Sequence, residues 1–164
     1  MHAAISDRVH HIEADNPQGR PTLSFLPILG PSHDQPAYSL LEGEALNLVR
    51  ISEVSADGTV PELLINNGLD VRLFLMDGQE LVGAKQNRIL NTDVLVPARR
   101  EIRLPVSCVE AGRWSYHSAH FAPGKAASHT VRARKHERVH ASLRAQGGFN
   151  ADQGAVWEEV ASSL

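Results

Sequence analysis

The sequence predicts an α+β domain that is mainly β, a small antiparallel sandwich or partly open barrel with one helix near the N-terminal third and helices at the C-terminus. Between Val49 and Glu110, short apolar or alternating runs follow one another and are cut by turn residues, as in an antiparallel meander. Asp77-Gly78 separates two of these runs, and that dipeptide is a strong two-residue hairpin signal because both positions tolerate positive φ. On either side of the meander the apolar spacing becomes helical.

In chain order, residues 1–21 end in the turn-rich Asn16-Pro17-Gln18-Gly19-Arg20-Pro21 and offer few anchors for a core. They are expected to form a flexible arm that orders only when something binds it. A single β-rich domain is expected over 22–164. Thr22 to Leu29 reads as a strand stopped by Gly30-Pro31, and Ser32 to Pro36 as a loop. Leu40, Leu41, Ala45, Leu48 and Val49 recur at helical spacing, and Ser39 with Glu42 makes a capping box, which predicts a helix over 38–48. Strands are expected at 49–54, 60–66, 71–76, 79–82, 89–96 and 102–109. A loop runs from Trp114 to about Ser128. Arg132 to Ala145 reads as a polar helix, Gln146 to Asn150 breaks it, and Asn150 or Asp152 caps a last helix carrying Val156, Trp157 and Val160. A chain that stops inside such a helix suggests a truncated form, or a helix that packs against a partner or a second copy.

Composition narrows the function classes. At 164 residues the chain fits one core. A formal charge of −3 is not that of a protein coating nucleic acid through bulk positive charge, so any anion site must be local. The one cysteine allows no intrachain disulfide, which agrees with a reducing cytoplasm. No stretch has the apolar length of a signal peptide or of the roughly 20-residue membrane span.

Three motifs carry chemistry. In Gly83-Ala84-Lys85-Gln86-Asn87-Arg88 a cation, two amides and a guanidinium form a donor-rich strip suited to phosphate or carboxylate, beside small residues that permit close approach. Glu80 lies just before it. The ordinary alternative is a solvated edge strand whose charges block edge-to-edge pairing, and spacing alone favours it. In Ser107-Cys108-Val109-Glu110-Ala111-Gly112-Arg113-Trp114, Cys108 follows an apolar run and reads more readily as a small core residue than as a nucleophile. Glu110 paired with Arg113, with Trp114 over the guanidinium, is an equally good structural cluster. Third, His136-Glu137-Arg138-Val139-His140 matches H-E-x-x-H, which would make His136 and His140 zinc ligands and Glu137 a general base, with Glu159 available as third ligand. Against zinc stand the flanking cations, Lys135 and Arg138 above all. The basic residues from Arg132 to Arg144 lack interleaved aromatics and are expected to form a solvated face rather than a nucleic-acid interface. His117-Ser118-Ala119-His120 fixes no metal geometry.

From Leu46 through Trp157 the chain resembles a bacterial family of unknown function, named for genomic association with ADP-ribosylglycohydrolases and rhodanese–phosphatase proteins. The carrying residues are Arg50 to Val54, Pro61-Glu62-Leu63, Asn66 or Asn67, Asp77 to Leu81, Gly83 to Arg88, Cys108-Val109-Glu110, Arg113-Trp114, and Gln153 with Val156-Trp157. The resemblance implies a link to ADP-ribose or NAD-derived metabolism through gene neighbourhood, which is an association and not a mechanism. Beside it, the donor strip becomes the better candidate for function. The expectation is a binding domain in which Glu80, Lys85, Gln86, Asn87, Arg88, Cys108, Glu110, Arg113 and Trp114 recognise a small anionic ligand, a nucleotide or ADP-ribose derivative, with no cofactor. A zinc hydrolase on His136, His140 and Glu159 is the enzymatic alternative. A protein-interaction or oligomerisation module built on the last helix is the third.

Overall fold

The computed structural model describes residues 3–20, 22–30, 37–55, 61–110, 115–146, 148–151, 154 and 156–157. The chain divides into two compact units, Met1–Pro36 and Ala37–Leu164. In the first, helix α1 (Ala3–His10) precedes β1 (Glu13–Ala14), β2 (Gln18–Arg20), β3 (Leu23–Phe25) and β4 (Ile28–Leu29). β1 pairs with β4 and β2 with β3, both antiparallel. The stretch expected to be a bare arm therefore carries a helix and two strands, and the boundary in space falls after Pro36 rather than at Thr22. The single strand expected over 22–29 is broken at Leu26-Pro27. Proline has no N–H to donate, and its carbonyl instead accepts from Asp15 N at 2.9 Å.

The second unit holds β5 (Tyr38–Leu40), the one-turn helix α2 (Ala45–Leu48), β6 (Val49–Glu53), β7 (Glu62–Asn67), β8 (Arg72–Leu75), β9 (Gln79–Gly83), β10 (Arg88–Leu90), β11 (Val94–Val96), β12 (Glu101–Cys108), β13 (Phe121–Ala126) and α3 (His129–Gln146). Six strands pair in the order β13-β9-β10-β12-β7-β6, every pair antiparallel. This sheet curls into an open half-barrel whose edge strands β13 and β6 approach one another. A smaller sheet runs β11-β8-β5, with β5 parallel to β8. The expected α+β, mainly β class and partly open barrel are what the chain forms.

Strand periodicity explains the core. Val49 and Ile51, Leu63 and Ile65, Leu73 and Leu75, and Leu104 and Val106 are all buried at alternate positions and meet in one cluster. The opposite face of β10 is covered too, because Ile89 joins a second cluster with Val131 and Val139 of α3.

Four sequence expectations change. Residues 38–48 are strand, turn and short helix, because Tyr38, Ser39 and Leu40 pair in register with Arg72, Leu73 and Phe74, a partner distant in sequence. The expected strand 89–96 is two strands in different sheets, parted at Asn91-Thr92-Asp93. The loop expected over 114–128 contains β13. Finally, Asp77-Gly78 does turn the chain, with Gln79 N donating to Met76 O at 3.1 Å. It does not make a hairpin, however, since β8 and β9 enter separate sheets. Only Gly78 has positive φ, at 73°, and without a second positive φ the turn splays its flanking strands.

Candidate functional site

Along the inner face of the half-barrel, alternate positions are apolar until one end is reached, where they become polar. β6 runs Val49, Ile51, Glu53; β12 runs Leu104, Val106, Cys108; β10 begins with Arg88 and continues inward with Leu90. Arg88 lies opposite Cys108 in the antiparallel register, and the curl of the sheet brings Glu53 to the same end. Here Arg88 is 0% exposed, Cys108 0% and Glu53 9%.

These groups form one network. Arg88 Nη1 donates to Gln86 Oε1 at 2.8 Å and contacts Cys108 Sγ, and Sγ in turn contacts Gln86 Oε1. Arg88 Nη2 stands 3.9 Å from Glu53 Oε1, an ion pair without a hydrogen bond. Gln86 Nε2 donates to Glu110 O at 3.0 Å, tying the network to the end of β12. The donor strip is therefore not a solvated edge strand: β10 lies between β9 and β12, and Lys85, Gln86 and Arg88 are all buried.

A turn between β9 and β10 borders this end. Asn87 and Glu110 hold it in shape: Asn87 Oδ1 accepts from Gly83 N at 3.1 Å, and Glu110 Oε2 accepts from Asn87 N at 2.8 Å. Glu80, on the outer face, accepts from Asn87 Nδ2 at 3.4 Å. Ala84 sits at φ 43°, a left-handed conformation that costs an L-residue about 1 kcal/mol. It is clamped there by Ser118 Oγ, which accepts from Ala84 N at 3.0 Å, and by His117 N, which donates to Ala84 O at 2.9 Å. A Cβ on Gly83 would come within 2.6 Å of Ser118 Oγ, so glycine is what lets this strap lie against the turn. Lys85 Nζ sits 5.2 Å from the centroid of the Tyr116 ring, a cation–π contact. Of the expected site residues, Gln86, Arg88 and Cys108 come together, while Lys85 lies in the bordering turn against Tyr116. Asn87 and Glu110 support the turn, Glu80 faces away, and Arg113 and Trp114 lie outside the described residues. Glu53 is the member that motif reading passed over, although a carboxylate on the apolar stripe of Val49 and Ile51 signals a buried charge.

Burial pushes the Cys108 thiol above its ordinary range, and the Arg88 guanidinium pulls it back only in part. At neutral pH the group is a thiol and not the thiolate a nucleophile requires. Its raised folded-state pKa contributes stability that is complete below the unfolded-state value and is lost as pH rises through the folded one. Wild type is therefore expected to lose stability above about pH 9 more steeply than Cys108→Ala. Iodoacetamide at pH 8 is expected to label the native thiol far more slowly than the denatured one, and equal rates would contradict this burial.

The H-E-x-x-H residues do lie on α3, but Val131, Lys135 and Val139 make its buried face while His136, Glu137 and His140 are exposed. The two imidazoles lie 4.3 Å apart between centroids, tilted by 41°. Among the described residues no group of three His, Cys, Asp or Glu could hold a metal ion, and Glu159 lies outside them. Lys135, expected on a solvated face, is 1% exposed and donates to Asp77 Oδ1 and to Asn91 O. Two open grooves lie away from the polar end. One, of about 670 Å³, is bordered by Glu62 and Arg103, which pair with each other at 2.6 Å. The other, of about 690 Å³, runs between Phe74, Met76 and α3. The Glu53–Arg88–Cys108 end holds a buried carboxylate and a buried cation, and Lys135 is a further buried cation under α3.

No helix among the described residues is long and apolar enough to cross a membrane. No curated protein and no solved structure matches the chain significantly. One family model does, over residues 11–164, and by that match the chain belongs to the family of the ARG and Rhodanese-Phosphatase-superfamily-associated Protein domain.

Proposed function

We propose that this domain binds a small anionic ligand, of the class of nucleotides and ADP-ribose derivatives, at the polar end of the half-barrel. The observation that carries the proposal is the change of the inner face from apolar to charged at the end where Glu53, Arg88 and Cys108 meet, beside the Lys85 turn. The mouth of a barrel is a recurrent place for small-molecule sites. Buried ion pairs add little to stability over well-packed apolar residues of similar volume, which favours a functional reason for keeping one. The strained Ala84 in the bordering turn points the same way. Lys85, in the turn that borders this end, supplies a second cation for the anion. On this proposal the domain works in the cytoplasm, where its thiol stays reduced.

Thermal-shift screening of the full chain against ADP-ribose, NAD and ADP tests it. A ligand present at about 100 times its Kd is expected to raise the melting temperature by several degrees, and Lys85→Ala to lose most of that shift. Indifference of wild type and variant to all three ligands would sink the proposal.

A further inference from the structure

Among the described residues, Glu53 is a buried charge with no hydrogen bond to its side chain. Its side chain is 4% exposed, and neither carboxylate oxygen accepts a hydrogen bond from any described residue. Its cation, Arg88, stands at 3.9 Å with Nη1 already committed to Gln86 and Cys108. A carboxylate at that depth without donors is costly, since a buried charge normally gathers hydrogen bonds to its lone pairs. Glu53 also ends β6 on the inner face, at the same end as the Lys85 turn. The polar end is thus divided by sign. Lys85 and Arg88 suit an anion, whereas Glu53 can only accept.

We infer that Glu53 is a ligand-recognition residue: resting on the binding proposal above, it assigns the ligand a pair of neighbouring hydroxyls, as on a ribose, whose two O–H groups donate to the Glu53 oxygens. A carboxylate presents two acceptors side by side, which matches the two donors of a vicinal diol. A hydrogen bond to a charged acceptor is worth about 1.5 to 3 kcal/mol, so one lost bond corresponds to about tenfold or more in affinity. A simple polyphosphate has no such donors and gains nothing from Glu53.

Calorimetric titration of the full chain with ADP-ribose and with inorganic pyrophosphate separates the two claims. Wild type is expected to bind ADP-ribose more tightly than pyrophosphate. Glu53→Gln, which keeps the size of the side chain and removes its charge, is expected to weaken ADP-ribose about tenfold or more while leaving pyrophosphate within about twofold. Glu53→Asp, which keeps the charge and withdraws it, is expected to do the same and serves where Glu53→Gln fails to fold. Equal weakening of both ligands, or no change in either, overturns the role of Glu53 and leaves the anion site standing. Equal affinity of wild type for the two ligands does likewise. Binding of neither by wild type overturns the site and this role together.

Discussion

Arg88→Met is expected to lower the free energy of unfolding by about 3 to 5 kcal/mol, the cost of leaving a buried carboxylate without its cation. Methionine matches the arginine stem in length and keeps the packing between β9 and β12, so the loss reports the charge and not a cavity. Glu53 is stranded by the change, and Gln86 Oε1 loses the Arg88 donor at 2.8 Å while keeping its Cys108 contact. The double variant Arg88→Met with Glu53→Leu removes both charges and is expected to recover most of the loss, as buried ion pairs replaced by apolar residues do. Denaturant unfolding measures it, with the midpoint falling and the slope unchanged. A single-variant loss below about 1 kcal/mol would show that Glu53 does not depend on Arg88.

Lys135→Met is expected to cost about 2 to 3 kcal/mol, less than Arg88→Met because Asp77 is partly open to solvent and keeps Arg132 at 3.9 Å. Burial pulls the Lys135 ammonium below the usual lysine range, and the hydrogen bond and charge of Asp77 pull it back, so this ion pair is the condition for burying a cation under α3. Its partners Asp77 and Asn91 flank the segments where the chain leaves one sheet for the other. Amide exchange is therefore expected to accelerate at the Asp77-Gly78 turn and along α3 before it does so at the Lys85 turn. Uniform acceleration everywhere would show that Lys135 has only a global role. Asp77→Asn is expected to be non-additive with Lys135→Met, since each removes the same pair.

Much of the meander could be read from local pattern because each strand alternates on its own. Val49-Arg50-Ile51-Ser52-Glu53 and Glu62 to Asn67 show their buried side without reference to a partner. β13 could not be read this way. Its Phe121-Ala122-Pro123-Gly124-Lys125-Ala126 has no alternation, and it exists because β9 offers a free edge, with a register shift between Pro123 and Ala126. β5 was hidden by leucines that happen to recur at helical spacing. Asn67 is 0% exposed and donates to Val71 O and Pro97 O, both at 3.0 Å, which makes it a brace inside the core that no local pattern shows.

By itself the sequence determined the class of the fold, most of its strands, the family and the two segments in which polar chemistry gathers, because composition, alternation and turn residues act over a few positions. Only the tertiary structure decided what those polar residues are. Whether Arg88 is a solvated edge charge or a buried cation depends on β9 and β12 closing over it. Whether Glu53 belongs to the site depends on a curl that brings the end of β6 to the start of β10. Both are contacts between residues far apart in the chain, made when the sheet buries its apolar face, and no local spacing encodes them.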